Sequence, residues 1–340
     1  MSKTFLRTTF PIIVIIAIYF VGPDPSAPKW DAEMPAVPTG ADSLEVYVRE
    51  KESRHKLKPD NEARIVWADS SRSKTEYSVV YLHGFSASQK EGDPVHRRFA
   101  AEFGCNLYLT RLADHGIDTV EAMINFTTDR WWKSAREALA IGRELGDKVI
   151  LMSTSTGGTM ALALAAAFPD EVHALINMSP NIAINNGGAF LLNDPWGLYI
   201  ARMVKGGKYN EWDAPRERQA YWYSKYRLEA TTQLQEMLET KMNRRTFEKI
   251  TQPCLTLYYY KNEAEQDPEV KVSAMLGMMD QLSTPENEKR AVAMPDAGAH
   301  VLGSTLTSKD VEGVYAEMQK FAREVLEISS SGQSPVFSGQ

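Results

Sequence analysis

The sequence predicts an α/β fold: a mostly parallel, eight-stranded sheet with helices on both faces and one helical insertion. Three observations carry this. Short apolar or β-branched runs bounded by turn residues alternate with helical patterns along residues 44–328. The later runs are nearly continuous apolar stretches, as strands buried on both faces are. Residues 184–248 break the rhythm, with no strand pattern and many Trp, Tyr, Leu and Met.

The elements follow in order. Strand patterns fall at LEVYVRE (44–50), ARIVWAD (63–69), YSVVYLHGF (77–85), CNLYLTRL (105–112), KVILMSTS (148–155), VHALINMSP (172–180), CLTLYYYK (254–261) and RAVAMPDAG (290–298). The first two alternate and follow one another directly, as an antiparallel edge would. Helical patterns occupy 94–104, 131–145, 159–168 and 310–328. An insertion at the carboxyl ends of parallel strands lies where ligands bind, so residues 184–248 are expected to form a helical cap. The core is then 41–183 with 249–328.

The chain ends differ from this core. Lys3 and Arg7 precede Phe10–Gly22, an uncharged apolar run of 13 residues. A helix of that length spans about 20 Å, against the roughly 30 Å of a hydrocarbon core. Residues 1–22 are therefore expected to be a signal peptide or an uncleaved signal anchor, with membrane association through residues 8–22. The positive flank stays inside, which puts the remainder outside the cytoplasm. Five prolines between Pro23 and Pro38 make residues 23–40 a stiff, extended linker, and the Ser-rich 329–340 reads as a disordered tail.

Composition excludes several classes. Hydrophobic residues make up 43% and charged residues 24%, ordinary values for a globular chain of 340 residues. A net charge of −6 offers no basic field for nucleic acid. The two cysteines, Cys105 and Cys254, are too few for a disulfide framework, and no Cys/His spacing points to a metal. No cofactor is implied.

The most informative stretch is Leu151–Met160, LMSTSTGGTM. A strand runs straight into a helix there, and so short a turn forces one residue into a strained backbone with its side chain above the sheet. Residues two positions to either side must be small. With Ser155 at the tip the flanks are Ser153 and Gly157. Ser153 at the tip would make Leu151 a flank, and Thr156 would put the strain on a β-branched residue. Ser155 is therefore the expected nucleophile.

Ser153-Thr154-Ser155-Thr156-Gly157 resembles the G-x-S-x-G nucleophile elbow of the α/β-hydrolase superfamily, with serine in place of the first glycine. His83-Gly84-Phe85 is similar to its H-G-x oxyanion loop. The resemblance implies that the backbone N–H groups of Phe85 and Thr156 form an oxyanion hole. It also implies a catalytic histidine after the last strand, where His300 stands. An acid is expected after the preceding strand, in the order Ser, acid, His. Asp267 is preferred to Glu263 because Asp267-Pro268-Glu269-Val270 matches the D-x-x-V pattern of relatives. His55 reads as solvated, His83 and His115 as structural, and His96 and His173 as parts of a helix and a strand start. The superfamily fold would place Cys105 and Cys254 on separated strands, buried and reduced.

The resemblance covers residues 44–328 and is closest to capped esterases and monoacylglycerol-lipase-like or carboxylesterase-like serine hydrolases. It implies a small-molecule or lipid ester as substrate. Aspartate-dependent dehalogenases and epoxide hydrolases are disfavoured by serine at the tip. Acyl transfer, or amide or C–C hydrolysis, would use the same triad. A catalytically dead, membrane-tethered binding protein is the rival from another class, with Ser153 as its foothold.

Overall fold

A computed structural model describes residues 14 and 17–331. Most of the apolar run 8–22 and of the tail 329–340 lies outside the described residues.

The sheet has seven strands: β1 Arg64–Val66, β2 Thr75–Leu82, β3 Asn106–Leu109, β4 Gly146–Thr154, β5 Ala174–Met178, β8 Cys254–Tyr258 and β11 Lys289–Ala293. Their order is β1-β3-β2-β4-β5-β8-β11, with β1 antiparallel to β3 and every other pairing parallel. The connection after β2 steps to one side and the one after β3 crosses back to the other. The carboxyl ends of β2 and β4 therefore lie side by side at the point where strand order reverses, with Leu82 opposite Ser153.

The expected eighth strand, residues 44–50, is instead helix α1, Ala41–Glu52. Leu44, Val46 and Val48 fit a strand's alternation, but only Leu44, Val48 and Glu52 are buried while Val46 is exposed. That spacing of four is one helical face.

Alternation does hold in the sheet. Val80 and Leu82 point into one core with Leu151 and Leu175. Helices α3 (Thr128–Leu145), α4 (Thr156–Ala167) and α9 (Val272–Gln281) cover that face. Val79 and Tyr81 point into a second core with Ile150, Met152 and Ile176, under α2 (Val95–Glu102) and α10 (Val311–Glu324). Cys105 and Cys254 are buried free thiols, both pushed up to about 12 by burial.

Between β5 and β8 the chain forms α5 (Gly197–Lys205), α6 (Arg216–Tyr221), α7 (Glu229–Lys241) and α8 (Arg244–Phe247). It also forms a small antiparallel hairpin, β6 (Tyr209–Glu211) with β7 (Lys225–Arg227), where no strand was expected. Each strand is three residues long, too short for a periodic signal. Helix α7 is core rather than lid on one face: Leu234, Met237 and Leu238 join the first core.

The proline-rich segment carries no helix or strand over residues 23–39 and is fastened to α3. Trp30 packs edge-on against Trp132, whose Nε1–H donates to the Asp31 carbonyl at 2.8 Å. Among the described residues no helix is long and apolar enough to cross a membrane.

Candidate active site

Ser155 sits alone between β4 and α4 with φ 54° and ψ −123°, a conformation that side-chain-bearing residues avoid and that persists only where the surroundings enforce it. The enforcement is visible on both sides. Its N–H donates to the Met178 carbonyl at 3.0 Å, and its carbonyl accepts from Asn181 at 2.9 Å and Gly158 at 2.8 Å. Gly157 has no room for a side chain: an added Cβ would lie 2.0 Å from the Leu82 carbonyl oxygen. Glycine is required there by close approach of two backbones.

The row of hydroxyls now resolves. Ser153 Oγ donates to Asn177 Oδ1 at 2.7 Å, and Thr154 Oγ1 pairs with the Tyr81 hydroxyl at 2.8 Å. Thr156 Oγ1 accepts from Asn181 Nδ2 at 3.3 Å. All three side chains are fully buried. Ser155 alone is partly exposed, and its hydroxyl has no hydrogen bond among the described residues. Serine in place of the first glycine is accommodated by Asn177, so that departure leaves the turn intact.

The turn after β2 lies against this one. Gly84 N–H is taken by the Glu91 carboxylate, and Ser86 N–H donates to His115 Nε2 at 2.9 Å. The N–H between them, on Phe85, has no partner among the described residues, and neither has that of Thr156. Two unpaired donors on adjacent turns make a site for developing negative charge.

His83 and His115 brace this turn. His83 Nε2 accepts from Leu112 N–H at 2.9 Å while Nδ1 bonds the Gly84 carbonyl. His115 Nδ1 bonds the Ala113 carbonyl at 2.8 Å. Burial holds both below the ordinary imidazole value, His115 at about 4, so both are neutral supports. His96 is likewise buried on the Gln89 carbonyl, His173 borders Tyr77, and His55 is exposed.

His300 lies in the loop between β11 and α10 with its side chain 13% exposed. Its Nδ1 bonds Asp267 Oδ2 at 2.7 Å. The other Asp267 oxygen accepts N–H groups of Glu269 at 2.9 Å and Val270 at 3.1 Å. Burial alone would raise the Asp267 carboxyl, but His300 and these two amides outweigh it and hold the group below its ordinary value. Burial would lower His300; the charge and hydrogen bond of Asp267, with Glu269 and Glu91, outweigh it and hold the imidazole above its ordinary value. Glu263 is elsewhere, in the turn of the exposed hairpin β9 (Tyr260–Asn262) with β10 (Glu265–Gln266), against the Tyr260 hydroxyl.

Ser155 and His300 are not hydrogen-bonded in this structure. Ser155 lies against the Gly84 turn, where an added Cβ would fall 2.9 Å from the Ser155 Cβ and 3.2 Å from a Glu91 oxygen. Catalytic hydrogen bonds commonly tighten only with substrate in place.

The insertion closes over both loops. Trp222 packs with Ala87 and Val301, and Tyr223 N–H donates to the Ser86 carbonyl at 2.7 Å. The Phe85 ring meets Phe126 and Tyr226 edge-on. Among the described residues no group of three His, Cys, Asp or Glu side chains could hold a metal ion.

Residues 79–312 match the alpha/beta hydrolase family. The chain belongs to that family. Solved structures place this α/β hydrolase among similar folds. One is from work on the metagenome-derived lipolytic enzymes LipS and LipT: 16% identity, 79% of this chain and 99% of that one, TM-score 0.63. Another is a soluble variant of monoglyceride lipase from Saccharomyces cerevisiae: 14% identity, 78% and 92%, TM-score 0.57. A third is a monoacylglycerol lipase from Paleococcus ferrophilus: 14% identity, 76% and 96%, TM-score 0.56. No curated protein sequence matches the chain.

Sequence reasoning missed Glu91. An isolated glutamate in SASQKEGDP carries no periodic or motif signal, and only the fold shows it buried against the Gly84 turn.

Proposed function

We propose that the protein is a serine hydrolase that cleaves carboxylic esters with apolar acyl chains through an acyl-enzyme. The observation that carries this is the strained, unbonded Ser155 at strand ends that also hold the Asp267–His300 pair. His300 Nε2 takes the Ser155 proton as Oγ attacks the carbonyl carbon. The N–H groups of Phe85 and Thr156 hold the resulting oxyanion. Collapse breaks the ester C–O bond, and His300 returns its proton to the leaving alcohol. Water, deprotonated by the same His300, then releases the acid and restores Ser155. Asp267 keeps the proton on His300 Nδ1 and stabilises the imidazolium.

The apolar preference rests on the insertion. Of its apolar residues, Trp222, Tyr223, Met237 and Leu238 are buried and serve packing. Phe190, Leu191, Tyr199, Met203 and Val204 remain exposed, more apolar surface than a polar substrate needs. The lipolytic enzymes among the similar folds agree with this reading. Each CH₂ that an acyl chain buries contributes about 0.8 kcal/mol, roughly fourfold in binding. For p-nitrophenyl esters from acetate to palmitate, kcat/KM should rise through at least octanoate. A maximum at acetate with a steep decline would mean a small closed pocket and a short-chain esterase.

The exposed Ile18, Phe20 and Val21 lie beside this surface, since Trp196 Nε1–H donates to the Ile18 carbonyl at 3.0 Å. In our reading the apolar N-terminal run holds the site at a lipid surface, outside the cytoplasm. Full-length protein should then fractionate with membranes, while a chain beginning at Pro23 stays in the supernatant. A chain beginning at residue 41 would also lose the packing of Trp30 on α3. Full-length protein wholly in the supernatant would end the membrane reading.

A further inference from the structure

Glu91 is a carboxyl group buried where the proposed reaction does not use it. It belongs to a single 3-10 turn, Gln89–Gly92, and is 1% exposed. A buried carboxyl is costly unless its position repays it. The groups that face it are the Gly84 N–H, the Tyr81 hydroxyl, the His300 imidazole and the Arg218 guanidinium. Burial outweighs all of these and pushes the carboxyl up to about 8.

Its place follows from the donors of the turn. Three consecutive amides matter, those of Gly84, Phe85 and Ser86. Glu91 takes the first and His115 the third, from two different elements. His83 Nδ1 bonds the Gly84 carbonyl at 2.9 Å, the oxygen of the peptide whose N–H belongs to Phe85. The turn is pinned before and after the one amide left unbonded. Both Glu91 oxygens would also sit within 3.3 Å of a Cβ on Gly84, and that Cβ would itself touch Ser155. Glu91, Gly84 and Ser155 form one stack.

We infer that Glu91 is a positioning residue for the oxyanion hole: by accepting the Gly84 N–H it sets the direction of the Phe85 N–H toward charge developing beside Ser155. This rests on the serine-hydrolase reading above. The acceptor, not the charge, performs the task. Glutamine has the shape of a protonated glutamate and keeps the accepting oxygen; leucine keeps the bulk and removes it.

The test is steady-state hydrolysis of p-nitrophenyl octanoate or, if it is turned over faster, acetate, by wild type, Glu91→Gln and Glu91→Leu. Folded protein is quantified by circular dichroism. Glu91→Gln should keep kcat within about threefold. Glu91→Leu should lose about 10²-fold in kcat with KM within about twofold, the signature of a misaimed oxyanion donor. A Glu91→Leu kcat within threefold of wild type overturns the inference. So does an equal fall in both variants, which would make the charge the cause, or a loss explained wholly by unfolded protein. Wild type inactive on every ester would instead sink the serine-hydrolase reading, and this inference with it.

Discussion

Ser155→Ala should reduce kcat for any hydrolysed ester by at least about 10⁴-fold and abolish covalent labelling by a fluorophosphonate. Removal of the nucleophile in a serine–histidine system costs up to about 10⁶-fold, because the remaining groups have nothing to activate. The fold should not register the change. The Ser155 hydroxyl makes no hydrogen bond among the described residues, and alanine meets the same backbone strain at φ 54°. The melting temperature should stay within about 2 °C of wild type, since removing an unbonded hydroxyl costs almost nothing. The neighbouring hydroxyls cannot substitute, because Ser153, Thr154 and Thr156 are buried and bonded to Asn177, Tyr81 and Asn181. A Ser155→Ala protein that still took up the fluorophosphonate would place the nucleophile elsewhere.

What was readable in the sequence follows from how local each signal is. Seven of the eight strand patterns correspond to sheet strands, because a parallel strand buried on both faces must be apolar throughout, as in Val149–Met152. The eighth failed at Leu44–Val48, where an alternating pattern and a helical one share the same two buried residues. Only the exposure of Val46 separates them, and exposure is a tertiary property. The Ser155 turn was legible because steric crowding dictates small residues at fixed spacing, and Gly157 against Leu82 is that crowding. The pairing of Asp267 with His300 spans 33 residues and came from chain order, with the D-x-x-V pattern choosing Asp267 over Glu263. Glu91 had neither kind of signal. Its role depends on a fold that brings a polar loop back onto the turn seven residues before it. The insertion was legible as a break in rhythm, but not in its parts: whether Trp222 or Met203 faced the core depends on what each packs against.

Asp267→Asn should lower kcat by about 10⁴-fold, roughly 5.5 kcal/mol of transition-state stabilisation, while leaving the loop in place. The hydrogen bonds dictate the mechanism of loss. One Asp267 oxygen accepts two backbone amides, Glu269 and Val270. An asparagine must keep its carbonyl oxygen there, since its NH₂ cannot face two N–H donors. The NH₂ then faces His300 Nδ1, which must become an acceptor, so the imidazole proton moves to Nε2. That is the nitrogen required to receive the Ser155 proton, and in this tautomer it cannot. The pH profile should move as well. In the wild type, burial is outweighed by Asp267, Glu269 and Glu91, and His300 titrates above its ordinary value of 6.5. Activity needs the neutral imidazole, so kcat/KM rises with pH through that raised value. With the Asp267 charge gone and burial unchanged, the midpoint of the residual activity should shift to lower pH. Profiles of kcat/KM from pH 5 to 9 for wild type, Asp267→Asn and Glu263→Gln test this. Glu263→Gln should match wild type, because Glu263 lies on an exposed hairpin. An Asp267→Asn protein that kept a tenth of its activity, or a midpoint unmoved, would remove Asp267 from the triad.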